Sequence, residues 1–377
     1  MATVLDRSGL PAMDVAGRLR RLSDLFAHAG CDALLVTSLT NIRYLTGFTG
    51  SAGLLLVSRS GALLVSDGRY RTQATEQIEA AGAEVEIEIG GVATQLEVLD
   101  SAASRIHKLG LEAEAITWGA KRRLSSSLGQ FRGGGGSFVA TTALVEGLRS
   151  VKDEGEVARI ELAADIADVA LAQVKPRLAD SPTEAEFALE LDFEMRRRGA
   201  DDVSFETIIA SGPNGALPHA RPSRRRIEPG ELVVVDFGAE VEGYRSDMTR
   251  TLCVGAVSSS QLVDVLDAVL ISQRAGVRAI KPGVACSEID AACRESLDEA
   301  GYGDLFVHGT GHGVGLEIHE APAVANGSTD ILQEGAVVTV EPGAYIAGLG
   351  GVRIEDTLVV TPSGGRALTK STKDTTL

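Results

Sequence analysis

Three separate apolar runs in the second half of this chain each drive into an acidic side chain, and that pattern restricts its fold more than any other feature. Leu232-Val-Val-Val-Asp236-Phe-Gly238, Val337-Val-Thr-Val-Glu341-Pro-Gly343 and Gly351-Val-Arg353-Ile-Glu355-Asp356 read as buried strands from their length and β-branched content. A carboxylate carried into a core without a partner is too costly to persist. Three of them on separate strands therefore require a shared counter-charge. Asp247, in Ser246-Asp-Met-Thr-Arg250, opens the return strand after a turn at Glu242-Gly243, so a hairpin is expected to set Asp236 and Asp247 face to face. By itself Asp247 reads as a turn residue. Arg353 and Glu355, two apart, are expected on one strand face, where the plainer reading is a surface ion pair.

Three of the six histidines fall in His308-Gly-Thr-Gly-His312-Gly-Val-Gly-Leu-Glu-Ile-His319-Glu-Ala-Pro322. Glycines at that density let the backbone approach a site closely. The segment matches neither G-x-G-x-x-G nor a lysine-bearing phosphate loop, and His319-Glu320 is not H-E-x-x-H, because the last position is Ala323. A histidine cluster beside several carboxylates is metal chemistry. Asp236, Asp247, Glu341 and Glu355 supply four negative charges, which two divalent cations neutralise, and with His312 they make a five-residue donor set. Five side chains serve two coordination spheres only if carboxylates bridge. Oxygen donors with one imidazole favour Mn²⁺, and Co²⁺, Fe²⁺ and Zn²⁺ suit the same donors.

The 377 residues suggest two domains. The first half alternates helices with short strands: a helix over 14–29, strands over 32–37, 53–57 and 62–66, and a helix from about Tyr70. That texture is α/β. Gly133–Gly136, followed by Ser137, reads as a loop near a domain edge, and the boundary is placed at 145/146, giving domains 1–145 and 146–377. The second half sets long helices beside hairpin-connected strands, which is α+β with a curved antiparallel sheet. Its helices are expected from about Lys152 to Pro176, from a cap at Ser181-Pro-Thr-Glu184 to Arg198, from Ser258 to Ile280, and from Ser287. Its strands are expected over 205–210, 232–237, 244–254, 336–341 and 352–360.

A net charge of −16 opposes nucleic acid and anionic membranes as partners. Cys31, Cys253, Cys286 and Cys293 form no C-x-x-C pair, and the last two, seven apart, read as small core residues of one helix face. Neither a signal peptide nor a membrane-spanning run is evident, so a cytoplasmic location is expected.

Taken with Asn41-Ile-Arg-Tyr-Leu-Thr-Gly-Phe-Thr-Gly-Ser51, Asp67-Gly-Arg-Tyr70, Ser211-Gly-Pro-Asn214 and Leu217-Pro-His219, these segments resemble the pita-bread metallopeptidases, in the aminopeptidase P and prolidase branch, over nearly the whole chain. The resemblance implies a creatinase-like N-terminal domain and a pita-bread catalytic domain. It implies that Asp247 and Glu355 are shared by two metals, Asp236 binding one and His312 with Glu341 the other. Glu341 would take a proton from an activated water, the nucleophile. His219 and His319 would line the substrate site, stabilising the tetrahedral intermediate and passing a proton to the leaving nitrogen, with His308, Tyr345 and Arg353 in supporting roles. The implied substrate is a peptide with proline second, and a homodimer is implied. Aminopeptidase P activity on longer peptides is the first expectation, with prolidase activity on Xaa-Pro dipeptides as the alternative. A metal-free amidinohydrolase like creatinase and a non-catalytic binding protein share the layout but need no such donor set.

Overall fold

The computed structural model describes residues 4–132 and 135–376, so Gly133 and Gly134 of the glycine run lie outside the described residues. The chain divides into two compact units, Met13–Arg149 and Ser150–Leu377, the second also taking in Met1–Ala12.

The earlier unit is built on a six-stranded mixed sheet. Its spatial order is Glu86–Ile89, Gly61–Ser66, Leu54–Ser58, Ala33–Val36, Lys108–Glu112, Ser137–Thr141. The first three strands in sequence pair antiparallel, Leu54–Ser58 and Gly61–Ser66 through a tight turn and Ala33–Val36 with Leu54–Ser58 across the helix Leu39–Thr46, and the other pairs are parallel. Ala33, Leu35, Leu56, Val65, Leu109 and Leu111 form its core. The Asn41 motif has a structural use here. Its amide donates to Glu112 and Glu146 and accepts from Arg149, so the polar groups of a buried helix end satisfy one another. The helix expected over 14–29 is broken into Arg18–Asp24 and Phe26–Ala29.

In the later unit two helix pairs each back a set of strands, the first a three-stranded sheet and the second strands of a five-stranded sheet and of a two-stranded one. Glu154–Val174 and Glu184–Arg197 pack on Ile208–Ser211, Leu232–Phe237 and Met248–Cys253. Ser260–Ala279 and Cys286–Glu299 pack on Val337–Val340, Gly350–Arg353 and Asp356–Thr361. Cys286 and Cys293 are buried in that second core, and burial pushes each thiol up to about 11.

Several boundaries differ from the sequence reading for identifiable reasons. Ser181 sits at φ 49 and closes the preceding turn, while Thr183 is the true cap, in a capping box with Glu186. Ser259, not Ser258, accepts from Leu262 N at the next helix start. The last helix begins at Cys286 behind Ala285, so Ser287 lies inside it. The strand expected over 205–210 is Ile208–Ser211. The one expected over 244–254 is two pieces, Tyr244–Arg245 and Met248–Cys253, because Ala239–Val241 and Tyr244–Arg245 form their own ribbon. The strand over 352–360 breaks at Ile354-Glu355, and that break frees Glu355 from the ladder.

Strand parity decides what reaches the site. Val233, Val235 and Phe237 face the helices, leaving Val234 and Asp236 to the opposite face. Met248 and Leu252 face the helices, leaving Asp247, Thr249 and Thr251 opposite. Val338 and Val340 do the same for Thr339 and Glu341, and Val352 and Ile354 for Arg353 and Glu355.

Candidate metal centre and active site

On that opposite face Asp236, Asp247 and Glu355 each offer a buried carboxylate oxygen, all within 4.8 Å of one another. His312 continues the cluster: its Nε2 lies 3.5 Å from Asp247 Oδ2 and 3.2 Å from Glu341 Oε1. The five residues named from the sequence thus meet, with Asp247 touching both ends of the group.

The route by which they meet differs from the hairpin expected. Asp236 is paired with Thr249, and Asp247 precedes the strand. The inserted ribbon, rather than a tight turn, separates them in sequence. Arg353 does not form a surface pair with Glu355. It is 3% exposed, and its Nη2 donates to Asp236 Oδ2 at 2.5 Å. Its Nε donates to Thr249 Oγ1, whose hydroxyl donates on to Glu355 Oε2 at 2.8 Å. Thr339 plays the matching part on the other sheet, accepting from His312 N and donating to Glu341 Oε1. Neither threonine was singled out from the sequence. Their only signal is their parity with the carboxylates.

His312 is held in a crowded place. A Cβ on Gly311 would stand 2.1 Å from Thr339 O, and one on Gly313 2.2 Å from Ala321 O. Only glycine on both sides lets the strand that carries the imidazole lie so close to its neighbours. His312 Nδ1 donates to the carbonyl of Gly313 at 3.1 Å, which leaves Nε2 as the free donor atom toward the carboxylates.

The electrostatics test whether cations fit. Burial, then the neighbouring Glu355 and Asp236, raise Asp247 well above the carboxylate range. Burial, then Glu341 and Asp236, do the same to Glu355. Burial and Glu341 raise Asp236 against the pull of Arg353. Burial opposes charge on His312 and Glu341 too, but their mutual hydrogen bond overrides it, raising His312 and holding Glu341 at about 2. Protons are thus held where positive charge is needed. Asp236 Oδ1 and Glu355 Oε1 are buried without a hydrogen-bond partner. Unsatisfied buried oxygens in an oxygen-rich donor set fit divalent cations.

A cavity of about 260 Å³ opens onto this cluster, lined by His219, His308 and His319 and walled by Phe205, Ile208, Pro218 and Ile318. His319 packs edge-on to His312, ring centres 4.4 Å apart. Arg353 Nη1 donates to Tyr345 Oη at 2.8 Å. Tyr345 in turn donates to His308 Nε2 at 2.8 Å, because His308 Nδ1 carries the proton it gives to Gly309 O. Burial lowers His308 and His319 from the ordinary histidine value and raises Tyr345. The wall residues Phe205, Ile208 and Ile318 were not singled out as site residues in the sequence. Phe205 and Ile208 fall in the stretch read there simply as a strand, and apolar residues give no chemical signal that would assign them to a cavity.

Buried carboxylates, one imidazole and a histidine-lined cavity have the chemistry that a metal-dependent hydrolytic site needs. The model of metallopeptidase family M24 matches residues 158–362, and that of the creatinase/prolidase N-terminal domain matches residues 18–151. An Xaa-Pro dipeptidase from Pyrococcus horikoshii is 34% identical over 96% of this chain and 99% of its own. Among solved structures, an Xaa-Pro dipeptidase from Bacillus anthracis superposes with a TM-score of 0.88 at 40% identity, covering 96% of this chain and 99% of its own. An X-Pro aminopeptidase from Thermotoga maritima gives 0.85 at 35% identity, covering 95% of this chain and all of its own. The chain belongs to metallopeptidase family M24, in the branch that pairs a creatinase-like N-terminal domain with the pita-bread catalytic domain. It is a metallopeptidase, a hydrolase that uses divalent metal ions.

Proposed function

We propose that this enzyme is an Xaa-Pro dipeptidase, cleaving the bond before proline in dipeptides. The observation that carries the reading is the near-complete match, in sequence and in fold, to proteins named Xaa-Pro dipeptidase. This reverses the first expectation, aminopeptidase P activity on longer peptides.

Asp236, Asp247, His312, Glu341 and Glu355 would hold two divalent ions, of which Mn²⁺ best suits the donors. When bound, the ions supply Lewis acidity and a water acidic enough to attack at neutral pH. Glu341, whose carboxylate lines the cavity, would accept a proton there. The bond before proline is a tertiary amide, so its nitrogen leaves only after gaining a proton. His219 and His319 face the cavity and suit that delivery, and they stabilise the charge that develops on the carbonyl oxygen. The Arg353–Tyr345–His308 chain fixes the floor of the site and neutralises part of Asp236. Phe205, Ile208 and Ile318 offer apolar surface to substrate side chains.

The test compares kcat/KM for Xaa-Pro dipeptides with that for the corresponding tripeptides. Preference for the dipeptides supports the reading, and preference for tripeptides returns the activity to the X-Pro aminopeptidase that the Thermotoga maritima structure favours. Metal analysis of the purified protein addresses the class itself. A protein without divalent metal, or a Glu355→Ala variant with full activity, sinks the dinuclear mechanism in favour of a creatinase-like or binding role.

A further inference from the structure

The imidazole of His219 stands at the cavity, exposed, on a loop that follows the strand Ile208–Ser211. What fixes that loop is a glutamate outside the site. Glu184 is the first residue of the helix Glu184–Arg197, and it is fully buried. Its Oε1 accepts from Ser211 N at 2.7 Å, from Ser211 Oγ at 2.8 Å and from Asn214 Nδ2 at 3.1 Å. Its Oε2 accepts from Asn214 Nδ2 at 3.0 Å, from Ser223 N at 3.0 Å and from Ser223 Oγ at 2.6 Å. The two oxygens thus tie down the start, the middle and the end of the 211–223 segment. The helix start adds backbone bonds at the end of that segment and just beyond it, Ala185 N to Ser223 O and Glu184 N to Arg225 O. A carboxylate at this position is favoured by the N-terminal end of the helix dipole as well.

Between the anchored ends the chain has few ways to go. Gly212–Ala216 is a 3-10 turn, Ala220 is buried against Ala210 and Val234, and Pro218 O accepts from Arg353 Nη1 at 3.1 Å. Pro218 and Ala220 are therefore both fixed, and His219 between them has its backbone set.

We infer that Glu184 is the positioning residue for His219, holding the 211–223 loop so that the imidazole meets the substrate at the metal centre. This rests on the role proposed above for His219. Glu184 itself touches neither the cavity nor the metal ligands, so its effect on the reaction passes through the loop. Glu184→Gln is the sharpest probe. It keeps the shape but turns one acceptor oxygen into a donor facing Ser211 N and Asn214 Nδ2, or Ser223 N.

The experiment is a double-mutant cycle on the metal-loaded enzyme with alanylproline as substrate. Glu184→Gln and His219→Ala are measured singly and together, with metal content and Tm recorded for each. The expected result is a fall in kcat of at least tenfold for each single variant, unchanged metal content, and less than a further twofold loss when Glu184→Gln is added to His219→Ala. Multiplying losses would overturn the inference, because Glu184 would then act by some other route. Full activity in His219→Ala would refute the proposed role of His219 and the inference together, whatever Glu184→Gln does. Should Glu184→Gln not fold, Asn214→Ala and Ser223→Ala each remove one strut and keep the glutamate. They are expected to lower kcat several-fold on the wild-type background and not on the His219→Ala background, and equal effects on both would overturn the inference.

Discussion

Lys152 and Glu320 form a deeply buried ion pair of the catalytic unit, Nζ to Oε1 at 2.7 Å, with 1% and 4% of their side chains exposed. Lys152 also donates its backbone N–H to Gly335, and Val151 bridges Ala336 at the entry to the strand that ends in Glu341. Glu320 follows His319 directly and opens the strand beside His312. Replacing Lys152 by Met keeps most of the aliphatic stem but takes the ammonium away from the buried Glu320 carboxylate. Removing one partner of a buried pair costs about 3–5 kcal/mol, and in a unit of this size each kcal/mol moves Tm by about 2–4 °C, so a fall of roughly 6–20 °C is expected. Glu320→Gln should fall comparably, since it leaves the ammonium buried. The double variant removes both charges and should lose at least ~2 kcal/mol less than the sum of the singles. Thermal unfolding of metal-stripped protein by circular dichroism reads this without a ligand contribution. A Lys152→Met protein within ~1 kcal/mol of wild type, or a double variant at the sum of the singles, would refute the reasoning.

Stripped of metal, the protein should lose stability as pH rises. Asp247 and Glu355 are raised well above their ordinary values in the fold, so between those values the folded chain keeps protons the unfolded chain releases, at about 1.4 kcal/mol per pH unit for each proton retained. Glu341, held at about 2, acts in the opposite sense, its contribution being lost as pH falls from about 4 toward 2. Added Mn²⁺ should cancel the loss at higher pH, by about 2.7 kcal/mol at a hundredfold excess over Kd, with Tm against pH as the readout, and a flat apo profile would contradict the crowding of charges. Gly311→Ala must push against the Thr339 carbonyl, so a destabilisation of about 1–3 kcal/mol and weaker metal binding by calorimetry are expected. Tyr345→Phe removes the hydroxyl between Arg353 and His308, and kcat should fall on the order of tenfold, equivalent to about 1.4 kcal/mol, while metal content holds.

Strand period and carboxylate cost are local properties, and they were legible in the chain before any folding was known. Leu232–Phe237 alternates so that Asp236 leaves the face taken by Val233, Val235 and Phe237, and the same count places Glu341 and Glu355. The glycines around His312 were equally visible as a demand for close approach. What the sequence alone determined, then, was which side chains leave the core and what charge they must share. Which strands lie side by side was decided only by tertiary structure, because pairing partners are chosen by packing across long separations. That is why the Asp236–Asp247 hairpin became a strand pair with an inserted ribbon. It is also why Arg353 turned from an apparent surface partner of Glu355 into a buried donor to Asp236. Thr249, Thr339 and Glu184 follow the same rule. Each is ordinary in sequence, and each acquires its role from a neighbour about 30 to more than 100 positions away, or, for Thr339, from His312 on the adjoining strand.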